Sequence, residues 1–258
     1  MLRLTTLTSV LALAATALMA DEIKVGVTPG VHAQIMEEVA KIAAPMGLDI
    51  DIAEFSDYVI PNTALADGDI EANSFQHTPY LDNQVKDRGF ELVVVGTTIT
   101  TPMGVYSDKV GDVSELEKGA KVAIPNDPTN GGRALLLLQD LGLLTLDESA
   151  GLLPSPLDVV DNPKGLKFLE LDAAQLPRTL ADADIAVINT NYANAAGLNT
   201  KEDSIAMEKA DGPYVNVIVV RKGDEDQEWV KTLVEAYHSD EVKAFVEDNF
   251  AGSVITSW

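Results

Sequence analysis

Two hydrophobic rhythms alternate along this chain. EIKVGV places Ile23, Val25 and Val27 at every second position, the period of a strand with one buried face. After the Pro29-Gly30 turn, Val31, Ile35, Val39, Ile42 and Met46 share one helical stripe, and LDIDIAEF returns to period two through Leu48, Ile50 and Ile52. Strand, helix and strand within about 35 residues form a βαβ unit, which implies parallel strands and a right-handed crossover. The alternation predicts a helix over 59–66, a short strand over 70–73, a helix over 78–87 and a strand at FELVVVG.

A second series begins at Lys121. KVAIP reads as a strand, 130–142 as a helix carrying four consecutive leucines, LKFLEL as a strand, AAQLPRTLAD as a helix broken or started by Pro177, and DIAVINT as a strand. YVNVIVVRKG is a late strand, and amphipathic helices starting near Asp226 and Asp240 close the chain. Two runs of alternating elements without a flexible linker predict an α/β protein of two lobes joined by strands that pass between them.

Residues 1–20 stand apart from this pattern. Arg3, an apolar run over 10–18 and small residues after it make a secretory signal peptide, with cleavage expected after Ala20 or Ala17. The run is shorter than the roughly 20 apolar residues a membrane span needs. The formal net charge is −23, one unit more negative once Arg3 is removed, so the surface repels nucleic acid and anionic lipid. Cysteine is absent, which excludes disulfides, thiol catalysis and an N-terminal lipid-anchor cysteine, and an exported, freely diffusing periplasmic protein is expected.

No phosphate-binding glycine loop, nucleophile elbow or zinc-protease motif occurs, and His32, His77 and His238 lack metal-ligand spacing. Neither a catalytic residue, a metal nor a cofactor is therefore expected. Two stretches draw attention instead. NSFQHTPYL gathers Phe75, His77 and Tyr80 at a predicted strand end, where α/β sheets hold ligands, although the same residues could be core and a cap. PNDPTNGGRALLLLQ passes from strand to a helix starting near Asn130 or Gly131, with Arg133 in its first turn. A cation is mildly unfavourable there, and its planar fork suits a carboxylate, whereas an ordinary turn would leave it solvated. Asn189, ending the strand before INTNYA, and Asn216, in the apolar YVNVIVV, either satisfy backbone groups or supply amide oxygens to an ammonium.

Long segments in order along the mature chain carry a resemblance: SDYVIPN, GDIEANSFQHTPYLD, VAIPNDPTNGGRALLLLQ, GLLPSPLDVVDNPKGLKFLELDAAQLPRTL, AVINTNYA and GPYVNVIVVR. They resemble the methionine-binding protein family of ABC importers, the MetQ/NlpA-type lipoproteins. The resemblance implies a two-lobed type II periplasmic-binding-protein fold with ligand in the cleft, one lobe over 21–100 plus 212–258 and the other over 101–211. It assigns Arg133 to the ligand carboxylate, Asn189 and Asn216 to the amino-acid head group, and Tyr58, Phe75, His77 and Tyr80 to an aromatic wall around the side chain. The implied partners are an inner-membrane permease with its cytoplasmic ATPase, and the implied state is a monomer. Two departures stand out: Asp21 stands near the place of the family's lipidated cysteine, and Thr101 precedes a proline where some relatives carry an aromatic residue. A different small apolar amino acid or a methionyl peptide is the near alternative as ligand, and a secreted α/β enzyme the distant one.

Overall fold

The computed structural model describes residues 20–250 and 252–258, so the expected signal peptide lies outside the described residues except for Ala20. The first series folds as β1 (Asp21–Val27), α1 (Val31–Ala43), β2 (Leu48–Glu54), α2 (Ile60–Asp67), β3 (Ala72–His77), α3 (Thr78–Arg88) and β4 (Leu92–Thr100). The second comprises β5 (Gly104–Tyr106), β6 (Lys121–Pro125), α4 (Pro128–Asp140), β7 (Thr145–Leu146), β8 (Val159–Asp161), β9 (Lys167–Leu171), β10 (Ile185–Ile188), α5 (Thr190–Ala195), α6 (Thr200–Asp203) and β11 (Ala206–Met207). The chain then returns to the first body through β12 (Val215–Arg221), α7 (Glu228–Tyr237), α8 (Asp240–Phe250) and β13 (Ile255–Thr256).

Each series builds its own sheet, and together they form the two-lobed fold expected. The first sheet runs β13-β4-β12-β3-β1-β2 and the second β11-β5-β10-β6-β9, with β7 and β8 as a separate pair. β1 lies parallel to β2 and β3, as the βαβ pattern predicts, whereas the returning β12 is antiparallel to both β3 and β4. The apolar run of β12 is explained by burial on both faces. Ile218 and Val220 pack with α1, α7 and α8, while Val217 and Val219 pack with Leu65 of α2 and Leu81 of α3. The second sheet repeats the arrangement. Val122, Ile124, Ile185 and Val187 face the leucines of α4, and Ala123, Ala186 and Ile188 face Leu176 and Tyr192.

Two segments join the lobes. The chain leaves the first sheet after Thr100 and enters the second at Gly104, then leaves β11 after Met207 and re-enters at Val215. Both crossings lie beside Arg133, which bonds Thr101 on the first and Glu208 on the second.

Several elements differ from the sequence reading. The strand expected over 70–73 is β3, Ala72–His77, and all six of its residues are buried, so no alternation marks it. Its polar side chains find partners within the core: Asn62 Oδ1 accepts from Asn73 Nδ2 at 2.9 Å and from Gln76 Nε2 at 2.6 Å. AAQLPRTLAD forms a 3-10 helix over Ala173–Thr179 with Pro177 inside it, neither starting nor interrupting it.

Close packing also explains a glycine of α4. A Cβ on Gly132 would stand 2.8 Å from the Leu152 carbonyl oxygen and 3.0 Å from Pro154 Cδ, and the first of these contacts is backbone. Gly132→Ala should therefore destabilise the protein by about 1–3 kcal/mol through overpacking, despite alanine's better helix propensity. Chemical denaturation checks this, and a stabilised variant would contradict the contact.

Candidate functional site

The first lobe contributes an aromatic wall. Tyr58 precedes α2, Phe75 lies in β3, and Tyr80 is in the first turn of α3; their ring centroids are 6.0–6.1 Å apart. Tyr80 donates its hydroxyl to the Tyr58 carbonyl at 2.7 Å, which pins the loop before α2. His77 is the N-cap of α3: its Nδ1 accepts from the Tyr80 N–H at 3.1 Å. That acceptor role leaves the proton on Nε2, which donates to Asn130 Oδ1 of the second lobe at 3.1 Å. Burial pushes the His77 imidazole down to about 3, the nearby Arg133 charge adds to this, and the Asn130 contact opposes it. His77 is thus a neutral donor across the cleft.

The second lobe contributes α4, which begins at Pro128 rather than near Asn130. Asp127 caps it, accepting from the Asn130 N–H at 2.9 Å, so a carboxylate of the chain itself already occupies the helix start. Arg133 consequently lies in the second turn, where the helix dipole weighs little, and its place needs another explanation. The side chain is only 2% exposed, and its guanidinium is enclosed by named partners. Nη2 donates to the Thr101 carbonyl at 2.8 Å, Nε donates to Glu208 Oε1 at 3.0 Å, and Nη2 also reaches Glu208 Oε2. Cζ lies 4.3 Å from the centroid of the Tyr214 ring. Nη1 has no hydrogen-bond partner among the described residues.

Asn130 links the two lobes. Its amide oxygen accepts from His77 and from Asn189 Nδ2, the latter at 2.8 Å, while its own Nδ2 donates to Asp127. Among the described residues, Asn189, the N-cap of α5, has no partner for its buried Oδ1, and the Tyr214 hydroxyl has none either. Asn216 stands opposite His77 in the β12–β3 register and donates to the Ile99 carbonyl at 3.0 Å. Tyr214 packs against His77 with centroids 5.1 Å apart. Tyr58, Phe75, Tyr80 and His77 therefore run continuously into Tyr214 and Arg133, and His77 leads through Asn130 to Asn189. All seven residues singled out from the sequence fall in this one neighbourhood.

Four more members escaped the sequence reading as individuals. Asn130, Tyr214 and Tyr192 lie inside stretches quoted above, but nothing in their spacing separates them from neighbours. Glu208 sits in the polar run EKADG, which carries no periodic signal. Further contacts close the lobes together: Tyr58 donates to Asn191 Oδ1 at 2.6 Å, Tyr192 donates to the Ser56 carbonyl at 3.3 Å, and their rings lie 4.9 Å apart. Between the wall and Asn130 there is space of only about 10 Å³, whereas a cavity of about 280 Å³ opens outside it, among Asp57, Tyr58, Tyr80, Asp127, Asp172 and Tyr192. Among the described residues no metal-binding cluster of His, Asp or Glu occurs, and no helix is long and apolar enough to cross a membrane.

Comparison with known proteins converges on one family. The NlpA lipoprotein family matches residues 23–258. The D-methionine-binding lipoproteins MetQ of Salmonella typhimurium and Escherichia coli K12 are each 52% identical to the chain over 241 residues, covering 92% of it and 89% of the relative. The structure also superposes on a nutrient-binding protein from Burkholderia cenocepacia bound to methionine, with a TM-score of 0.90, 52% identity, and coverage of 92% of this chain and 100% of the other.

The buried imidazoles have a consequence for stability. Burial lowers His32, in the first turn of α1, to about 4, as it lowers His77 to about 3. An unfolded histidine titrates near 6.5, so below that pH the unfolded chain binds protons that the folded chain refuses. These groups should leave stability unchanged above pH 7 and reduce it from about pH 6.5 towards 4, by up to ~1.4 kcal/mol per pH unit for each histidine. Denaturation at pH 7, 6 and 5 should give a shallower loss for His32→Gln than for the parent; parallel curves would contradict the assignment.

Proposed function

Because the chain belongs to the NlpA lipoprotein family, we propose that it captures methionine outside the inner membrane as the substrate-binding protein of an ABC importer. The observation that carries this reading is the pairing of an unused donor edge on a buried guanidinium, Arg133 Nη1, with an unpartnered buried acceptor, Asn189 Oδ1. A free amino acid brings the complements of both: a carboxylate for the arginine and an ammonium for the amide oxygens of Asn189 and Asn216. Tyr58, Phe75, His77 and Tyr80 then surround the side chain. They offer no formal charge, since His77 is neutral, and a thioether gains S···aromatic contacts of ~0.3–1.5 kcal/mol beyond its area burial. The protein catalyses nothing, acts as a monomer, and hands its ligand to a permease coupled to a cytoplasmic ATPase.

The residues around the ligand come from both sheets, so the lobes part to admit it and meet around it. With residues 21–100 and 212–258 as one lobe and 101–211 as the other, the two crossings serve as the hinge. The relatives are lipoproteins by name, whereas this chain has no cysteine to acylate. It works as a freely diffusing periplasmic protein, and intact-mass analysis should find no acyl group; an added acyl mass would refute that part.

Arg133→Ala tests the reading directly. A charge-assisted hydrogen bond contributes ~1.5–3 kcal/mol, so methionine affinity should drop roughly tenfold to over a hundredfold while the variant still folds. Near-parental affinity by calorimetry would remove Arg133 from the site. In competition, methionine should bind tighter than norleucine, norleucine tighter than leucine, and glutamate and aspartate not measurably, because a second carboxylate would be buried without a cationic partner. Leucine equal to methionine would defeat the ligand assignment.

A further inference from the structure

We propose that Glu208, by neutralising Arg133 inside the site, makes the protein select zwitterions over simple carboxylates. This rests on Arg133 holding the ligand carboxylate. Glu208 lies just beyond β11 on the second crossing segment, and its position is set by backbone as well as by Arg133. Its N–H donates to the Met103 carbonyl at 2.9 Å, and its Oε2 accepts from the Met103 N–H at 3.1 Å. The carboxylate engages Nε and Nη2, the side of the guanidinium turned away from Nη1. It therefore leaves the donor edge available while cancelling its charge.

That arrangement differs from an arginine awaiting an anion. With the charge of Arg133 already balanced and His77 neutral, a monoanion at Nη1 would add one uncompensated negative charge to a buried place, with Asp127 close by on Asn130. An amino acid brings its own cation and leaves the balance intact. Glu208 is thus a positioning and specificity-determining residue: it holds the guanidinium and demands charge on the ligand nitrogen, beyond a hydrogen bond from it.

The probe is 2-hydroxy-4-(methylthio)butanoate, which keeps the carboxylate, the thioether and a hydroxyl donor but lacks the ammonium. Calorimetry on the parent, Glu208→Gln and Glu208→Asp, with the fold checked by circular dichroism, reads the affinity ratio of methionine to this acid. The parent ratio should be on the order of a hundredfold, Glu208→Gln should lower it by roughly tenfold or more, and Glu208→Asp, which keeps the charge, should hold it within about threefold of the parent. A folded Glu208→Gln protein with the parental ratio would overturn the proposal. So would a parent that binds the hydroxy acid as tightly as methionine, a result that needs no variant. If Arg133→Ala leaves methionine binding intact, the underlying reading fails; if Arg133→Ala abolishes binding and the Glu208→Gln ratio is parental, only the present inference does.

Discussion

A guanidinium buried to 2% exposure in the second turn of α4 constrains everything around it. An isolated charge of this kind costs several kcal/mol to remove from water, so Arg133 persists only where the chain surrounds it with acceptors. Those acceptors come from far apart in the sequence. Thr101 belongs to the first crossing between lobes, and Glu208 and Tyr214 to the second. Thr190 of α5 bonds the Pro102 carbonyl beside them. Enclosing one side chain thus draws both crossings to a single point on α4.

Asn130 plays the corresponding role between the lobes. Its oxygen accepts from His77 on one side of the cleft and Asn189 on the other, and its amide group is held by Asp127. The neutral state of His77 follows from the same geometry, since Nδ1 must accept to cap α3 and a second proton would stay buried beside Arg133. A ligand that engages Arg133 and Asn189 together uses polar atoms that these internal contacts leave free, Asn189 Oδ1 among them.

The regular parts of this fold were legible because burial is one-sided there. β1, α1 and β2 show clean periods, and their partnership as a βαβ unit follows from them. β3 lies further along the chain than 70–73 because all of it is buried and its Asn73 and Gln76 are satisfied inside the core, a pairing that period cannot reveal. α4 starts before the Asn130 or Gly131 that the sequence suggests, because Asp127 and Pro128 form a strong cap and first-turn pair ahead of the apolar stripe. In the candidate site, arginine and the aromatic cluster were visible as residues out of keeping with their surroundings. Glu208 was not, because an acidic residue in an acidic chain is unremarked until the fold brings it to Arg133.

The identity of the small molecule bound to the protein purified from its native compartment tests this account most directly. Mass spectrometry of the supernatant after denaturation should find methionine, chemically unaltered and near one equivalent per chain. Another amino acid in its place, or a converted product, would contradict a methionine-capturing protein whose cleft is built around Arg133.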